Sequence, residues 1–539
     1  MKKQHKGIIM TVIFGGSLLF WAAAASVPGI TPEDPNEKIT VTGTPMDNYP
    51  DVQRVQFCSS SDFAKSNSYV TEYKIPTPCT QPLAIVTDPD GNVWFAQTNA
   101  GRVAKFDPIT ESFTEYENPR WPRGINPDDF GGRSMMWGID YSPDGSIWFT
   151  DEFYDKVWKF SIEDEEYAKP LSFPSSGQSL PQRLSVEGSQ IIVNDFTGNK
   201  LTFLDPAQSN QGTTFLSLPS PVEGSVTGGF GVDAEDNIWY TNWLFQTGGV
   251  LIKANQEKIL ELINSDENEE TQMFDFITIY QFPAGMTTPN GISAGPQGLI
   301  WISDTSSNLF FSFDPETEIF TKYATSIPQV ASYGNSSGLI KTPVSRPYWN
   351  EFDDQGRLIF NEQTANRIGV FDPQKETLVE YTIPSKNPNW ADCEFLDDCG
   401  LAQVFDFTVD GEKIWFTEWV ENNIGLLDTS IPLPFDVELD KQKIILKKGE
   451  QTQITLTITP KSNSDIPEVS LTSSSTASFD DLSVKTDVLT FQLDFDAPRI
   501  IQISVSASDN ALPDLHKLLI GVQTDEVVVS KYVTVIVEQ

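Results

Sequence analysis

Short runs of alternating apolar and polar residues, broken by Asp-Gly, Asn or Pro turns, recur along most of this chain. A unit that begins at Leu83 reads as an apolar strand, then DPDGNVWFAQ, RVAKFDP and SFTEYENP. The same order returns in WGIDYSPDGSIWFTDEFYDKVWKF, in RLSVEGSQIIVNDFTGNKLTFLDP and in FGVDAEDNIWYTN. It returns again in NGISAGPQGLIWISDTSSNLFFSFDPETEIFTKY, in WNEFDDQGRLIFNEQTANRIGVFDPQKETLVEYTIP and in VFDFTVDGEKIWFTEWVENNIGLLD. Each unit holds strands rich in Val, Ile, Phe, Trp and Tyr between turn signals, a pattern of antiparallel pairing. Four strands per unit of roughly 45–60 residues is the signature of a propeller blade. The fold class is all-β: a seven-bladed β-propeller.

The seventh unit stops after its third strand, at Asp428. Its missing fourth strand should resemble FTEY or LVEYTIP, and that pattern stands before the first unit as VTEYKIP, Val70 to Pro76. The amino-terminal strand is therefore expected to complete the last blade, which removes the open sheet edges of an unclosed array. This places the propeller at 68–430. The Asp before Pro at Asp107, Asp205, Asp314 and Asp372 is expected to cap the turn between the third and fourth strands. Beyond Pro432 the repeat ends, and KIILKKG, QTQITLTITP, IIQISVSAS and VVVSKYVTVIVE alternate with polar turns. They predict an immunoglobulin-like β-sandwich over 431–539.

The units GNVWFAQTNAGRVAKFDPITESFTEY and RLIFNEQTANRIGVFDPQKETLVEYTIP closely resemble the repeats of the streptogramin B (virginiamycin B) lyase family, over roughly residues 69–428. The resemblance implies a seven-bladed propeller that opens a cyclic depsipeptide by elimination at an ester bond. It further implies Mg²⁺ near the axis and a histidine base. Glu362 and Glu418 are the closest matches to the family's WFTE-type glutamates. The histidine has no counterpart, because His5 and His516 are the only two in the chain and both lie outside 68–430. A catalytic role would fall to Asp or Glu, with Glu362 and Glu418 as the candidates.

At the amino terminus, Lys2, Lys3 and Lys6 precede an uncharged stretch from Gly7 to Val27, with Ala23, Ala24 and Ala25 as a small-residue cleavage signal. Residues 1–27 thus read as a signal peptide or an uncleaved transmembrane anchor, and 28–67 as a linker or stalk. Either reading exports the remainder to the cell surface or beyond. In that oxidising setting Cys393 and Cys399 are placed to pair locally, and Cys58 with Cys79. The net charge of −39 argues against nucleic acid, whose phosphates would be repelled.

Chemistry in a ring of blades gathers where inner strands begin and second strands end. Those second-strand ends are Gln97, Asp151, Asn194, Asn242, Asp304, Glu362 and Glu418, with Glu152 and Asp195 beside them. Asp151, Asp304, Glu362 and Glu418 converging on the axis would suit Ca²⁺ or Mg²⁺. The competing reading is that these side chains cap the turns that follow them. Arg133, Arg183, Arg346 and Trp349 stand before or within inner strands, where a guanidinium beside an aromatic ring would grip a small-molecule, glycan or peptide ligand. The functional expectation is an exported propeller that binds a ligand at its axial mouth. The alternative is a metal-dependent lyase or lactone hydrolase. The carboxy-terminal unit would face cell-envelope neighbours.

Overall fold

The computed structural model describes residues 58–539 except 122–134, 153, 174–178, 189, 205–214, 245–247, 256, 260, 262–275, 334–343, 392, 394–395, 397, 462–467, 478–480 and 495–496. The apolar amino-terminal stretch, Arg133, Asp205 and the acidic run Asp266–Glu270 lie outside the described residues. Among those residues no helix is long and apolar enough to cross a membrane.

The repeats fold as seven successive antiparallel blades of the expected four strands, with a fifth strand in the second and the sixth continuing into a nine-stranded sheet. Their inner strands are Pro82–Thr87, Ile139–Ser142, Pro181–Glu187, Val226–Val232, Pro289–Ala294, Pro347–Phe352 and Val404–Asp410. Consecutive sheets touch in turn, and the last inner strand touches the first, so the array is a closed, propeller-like ring. Closure follows the expected route: Val70–Lys74 pairs antiparallel with Asn423–Asp428, in the register Val70↔Leu427 to Lys74↔Asn423. Both expected disulfides form, and Cys58–Cys79 ties the chain ahead of the closing strand to the loop behind it. Residues 58–67 already rest on the seventh blade, where Ser59 N donates to Val420 O and Ser60 N to the Glu421 carboxylate.

The repeat has a local cause at each position. In DPDGNVW the Asp88 carboxylate accepts from Asp90 N and Asn92 N and holds the Trp94 indole N–H at 2.8 Å. Asp233 does the same for Trp239 at 2.7 Å. The Gly of RIGVFD and NIGLLD makes room for a Phe on the neighbouring strand. A Cβ at Gly425 would sit 2.1 Å from the Phe416 ring and one at Gly369 2.6 Å from Phe360. Blades are stitched together by the polar residue near the end of the second strand. Thr150 donates to Gln182 O, Asn194 to Thr227 O, Thr241 to Pro289 O, Asn361 to Val404 O and Thr417 to Leu83 O. Each bond reaches a main-chain carbonyl of the next blade's inner strand.

The carboxy-terminal strands form two sheets. One is Phe435–Leu439, Gln451–Pro460, Arg499–Ala507 and Leu482–Lys485. The other is continuous with the sixth blade, because Val527–Glu538 pairs with Thr377–Thr382 in the register Thr377↔Lys531 to Tyr381↔Val527. The tail unit is thus joined to the ring through main-chain hydrogen bonds. Leu519 and Tyr532 pack into the core of blades five and six beside Tyr323 and Phe371. Nothing in the residue pattern announces this junction, since edge pairing is made by backbone and leaves no motif.

Candidate functional site

The second-strand ends do occupy one equivalent position: Gln97 faces Pro82, Asp304 faces Pro289, Glu362 faces Pro347 and Glu418 faces Val404. In the third blade the register assigns Asp195, opposite Pro181, rather than Asn194. Their side chains are engaged locally. Asp151 accepts from Tyr154 N and Trp158 Nε1, both at 3.1 Å. Asp195 accepts from Leu180 N and Gly198 N, and Asp304 from Thr288 N and the Ser307 hydroxyl. Burial raises Asp195 to about 6 and also lifts Asp304.

Glu362 and Glu418 belong to a three-strand polar motif that recurs in blades one, six and seven. The Glu of FTEY, LVEYTIP and VTEYKIP (Glu115, Glu380 and Glu72) lies opposite Ala104, Gly369 and Gly425 on the third strand. From there it reaches the second-strand end of its own blade. In blade one Arg102 bridges Gln97 at 2.6 Å and Glu115 at 3.0 Å. In blade six Arg367 lies 3.2 Å from Glu362 and 3.7 Å from Glu380. In blade seven Asn423 donates to Glu418 at 2.8 Å and to Glu72 at 3.5 Å. Desolvation and the second carboxylate hold Glu362 and Glu418 well above the usual range.

Ca²⁺ or Mg²⁺ does not fit the four carboxylates Asp151, Asp304, Glu362 and Glu418 as placed. Each is committed to partners of its own blade or of the chain entering it, and each is fully buried. Among the described residues no group of three or more His, Cys, Asp or Glu side chains is gathered to hold a metal. The sequence pattern showed the repeated position but not its direction. Glu362 and Glu418 are correspondingly placed as members of the blade core.

The axis is built from other residues. Six of the seven inner strands break register just after they start, as between Pro181 and Leu184, Pro347 and Asn350, and Val404 and Phe407. The bulge turns one extra residue toward the centre, and at that point stand Arg183, Trp349 and Asp406. Arg183 Nη1 donates to Asp406 Oδ1 at 3.0 Å, and its guanidinium lies 5.3 Å from the Trp349 ring. The indole occupies space left by glycine, since a Cβ at Gly229 would stand 3.0 Å from Trp349 Cζ3. Arg183 and Trp349, both expected ligand-binding residues, are thus brought together. Arg346 is not with them: it is buried with a positive φ in the connection before blade six, its amide bonded to Ser307 O.

Two further acids, Asp140 and Glu351, stand near Arg183 on the axis. Asp140 accepts from Val186 N of the next blade at 2.7 Å, and Asp406 from Ile85 N at 3.1 Å. Glu351 and Asp140 both interact electrostatically with Arg183. Desolvation dominates each acid: Asp140 and Asp406 are raised to about 6 and Glu351 to about 7, with Arg183 opposing the rise. Exposure rises along the inner strands. Their first residues are buried, whereas Asp140, Ser185, Ser293 and Glu351 further along are half-buried. Where the strands begin, Trp137, Tyr348, Phe405, Trp419 and Trp390 are packed edge to face and buried. The axis is therefore filled with aromatic rings at the end expected to be its mouth, and is lined by half-exposed polar residues at the other. The signal that marks these positions is the residue two beyond the Pro in PQR and PYW.

No family model matches this chain, and no curated protein does. Among solved structures the chain is similar to virginiamycin B lyase from Staphylococcus aureus, with 20% identity and a TM-score of 0.49 over 67% of this chain and 98% of that one. It is similar to a streptogramin B lyase with the same identity, score and share of this chain, and 99% of the other. It is also similar to hydrazine synthase from Kuenenia stuttgartiensis, with 12% identity and a TM-score of 0.46 over 66% of this chain and 98% of that one.

Proposed function

We propose that this protein is an exported ligand-binding propeller whose binding site is the axial channel around Arg183, Trp349, Asp406, Asp140 and Glu351. One observation carries the reading. The Arg183 side chain is clamped between a carboxylate and an indole ring yet keeps 29% of its surface accessible. A charge held rigid and reachable is a preorganised recognition group, with little ordering cost on binding. The apolar amino-terminal stretch and two disulfides support export to the cell surface, with or without a retained anchor. The carboxy-terminal unit acts in this reading as an immunoglobulin-like spacer facing envelope neighbours. The test is a binding screen of glycans, peptides and small organic ions against wild type and Arg183→Gln. A ligand that loses about tenfold or more in affinity with Arg183→Gln, at unchanged thermal midpoint, supports the site. Ligands that bind both proteins equally would remove it.

A second reading, a carboxylate-based lyase or lactone hydrolase, draws on the same acids. Glu351 at about 7 and Asp140 at about 6 are matched to proton transfer near neutrality. Turnover of lactones or cyclic depsipeptides that is abolished in Glu351→Gln would favour it.

A further inference from the structure

We infer that the ligand of the axial channel is a small molecule carrying an ammonium group beside an oxygen acceptor, the chemistry shared by amino acids and amino sugars. The inference rests on the axial reading above and narrows it. Three carboxylates, Asp140, Glu351 and Asp406, interact with a single guanidinium, Arg183. Only Asp406 is hydrogen-bonded to it, at 3.0 Å. The channel is therefore short of positive charge among the described residues, and an entering cation meets two carboxylates that no side-chain cation there pairs directly. In a confined, weakly screened space that imbalance is a strong selector.

The second observation is independent of charge. Trp349 is 5% exposed, and its indole N–H has no hydrogen-bond partner among the described residues. An unpaired buried donor costs free energy until an acceptor reaches it. Arg183 faces the same ring and spends only Nη1 on Asp406, so it keeps further donors. Donors at the layer of Trp349 and Arg183, with carboxylates one layer along at Asp140 and Glu351, form a two-ended site. A metal ion would use only the acids and leave the donors unmet. A neutral ligand would leave the acids uncompensated. A molecule with adjacent ammonium and oxygen groups satisfies both.

Four groups face one another here: Asp140 on the second inner strand, Arg183 on the third, Glu351 on the sixth and Asp406 on the seventh, with Tyr348 interacting with both Asp406 and Glu152. The experiment is calorimetric titration of the purified protein near pH 7, where the amines of both probes are protonated and free carboxylates are charged. The probes are two isosteric pairs, alanine against lactate and glucosamine against glucose, which exchange ammonium for hydroxyl. The expected result is that the amine of at least one pair binds saturably and at least about tenfold tighter than its partner. That preference should fall to below about twofold in both Glu351→Gln and Asp140→Asn, which keep shape and hydrogen bonding. The pair that responds identifies the source. A lack of discrimination in both pairs, or a preference that survives the double variant, overturns the inference. If neutral or anionic molecules bind instead, and Arg183→Gln abolishes it, the axial reading stands and the amine class falls.

Discussion

At the scale of single residues, the same chemical type serves two ends depending on which way the strand turns it. Glu362 and Glu351 stand eleven positions apart in one blade. Glu362 faces the blade interior, where Arg367 holds it against Glu380, whereas Glu351 is half-buried on the axis. Removing the cation from the buried triad would strand two carboxylates in the core. Arg367→Met is therefore expected to cost about 3–5 kcal/mol, against near-neutrality when all three groups are replaced together by apolar residues. Urea unfolding of the single and triple variants distinguishes the two outcomes. Equal costs would show that the triad is not coupled.

At the scale of strands and sheets, closure depends on a short amino-terminal strand. Val70–Lys74 contributes five paired residues, and Cys58–Cys79 fixes the chain on either side of it. A crosslink that closes a loop of this length adds about 3 kcal/mol by restricting the unfolded chain. The double variant Cys58→Ser, Cys79→Ser should lose about 2–4 kcal/mol and show faster hydrogen exchange first in Asn423–Asp428. Exchange that accelerates equally in all blades would contradict this placement. Much of this scale was readable from the chain. The repeat period, the closing VTEYKIP strand, the disulfides and the Asp caps follow from local rules that act within a few residues. The direction of Glu362 and Glu418 was not readable, because alternation gives the face of a strand and not what stands opposite it. Nor was the Arg183–Trp349–Asp406 cluster, whose members come from three blades and meet only after a repeated bulge. The FTEY glutamate was visible in the repeat, but its reach back to the second strand required the pairing register.

At the scale of the whole molecule, proton uptake should couple to stability. Asp140, Asp195 and Asp406 are raised to about 6, Glu351 to about 7, and Glu362 and Glu418 well above the usual carboxylate range, chiefly by burial. The folded state thus keeps protons that an unfolded chain has released above about pH 4. Stability from these groups is complete below that point and declines as pH climbs through 6 and 7, by ~1.4 kcal/mol per pH unit for each fully buried acid until that acid ionises. The net charge of −39 acts in the same direction. The thermal midpoint should be higher near pH 5 than near pH 8. The drop should shrink in Glu418→Gln, in which the side chain is neutral at every pH. A midpoint that rises toward pH 8 would contradict this linkage.

The join between Thr377–Thr382 and Val527–Glu538 has a consequence for how the molecule comes into being. The first strand of the ring waits for the seventh repeat, and the sixth repeat waits for the last strand of the chain. The ring can close before the carboxy-terminal strands are made, whereas the second seam must wait for them. The strand Val70–Lys74 therefore stays unpaired until the seventh blade is made, and the outer edge of the sixth blade stays uncovered until Val527–Glu538 is made. A protein assembled in this order closes its ring first and covers the edge of its sixth blade last.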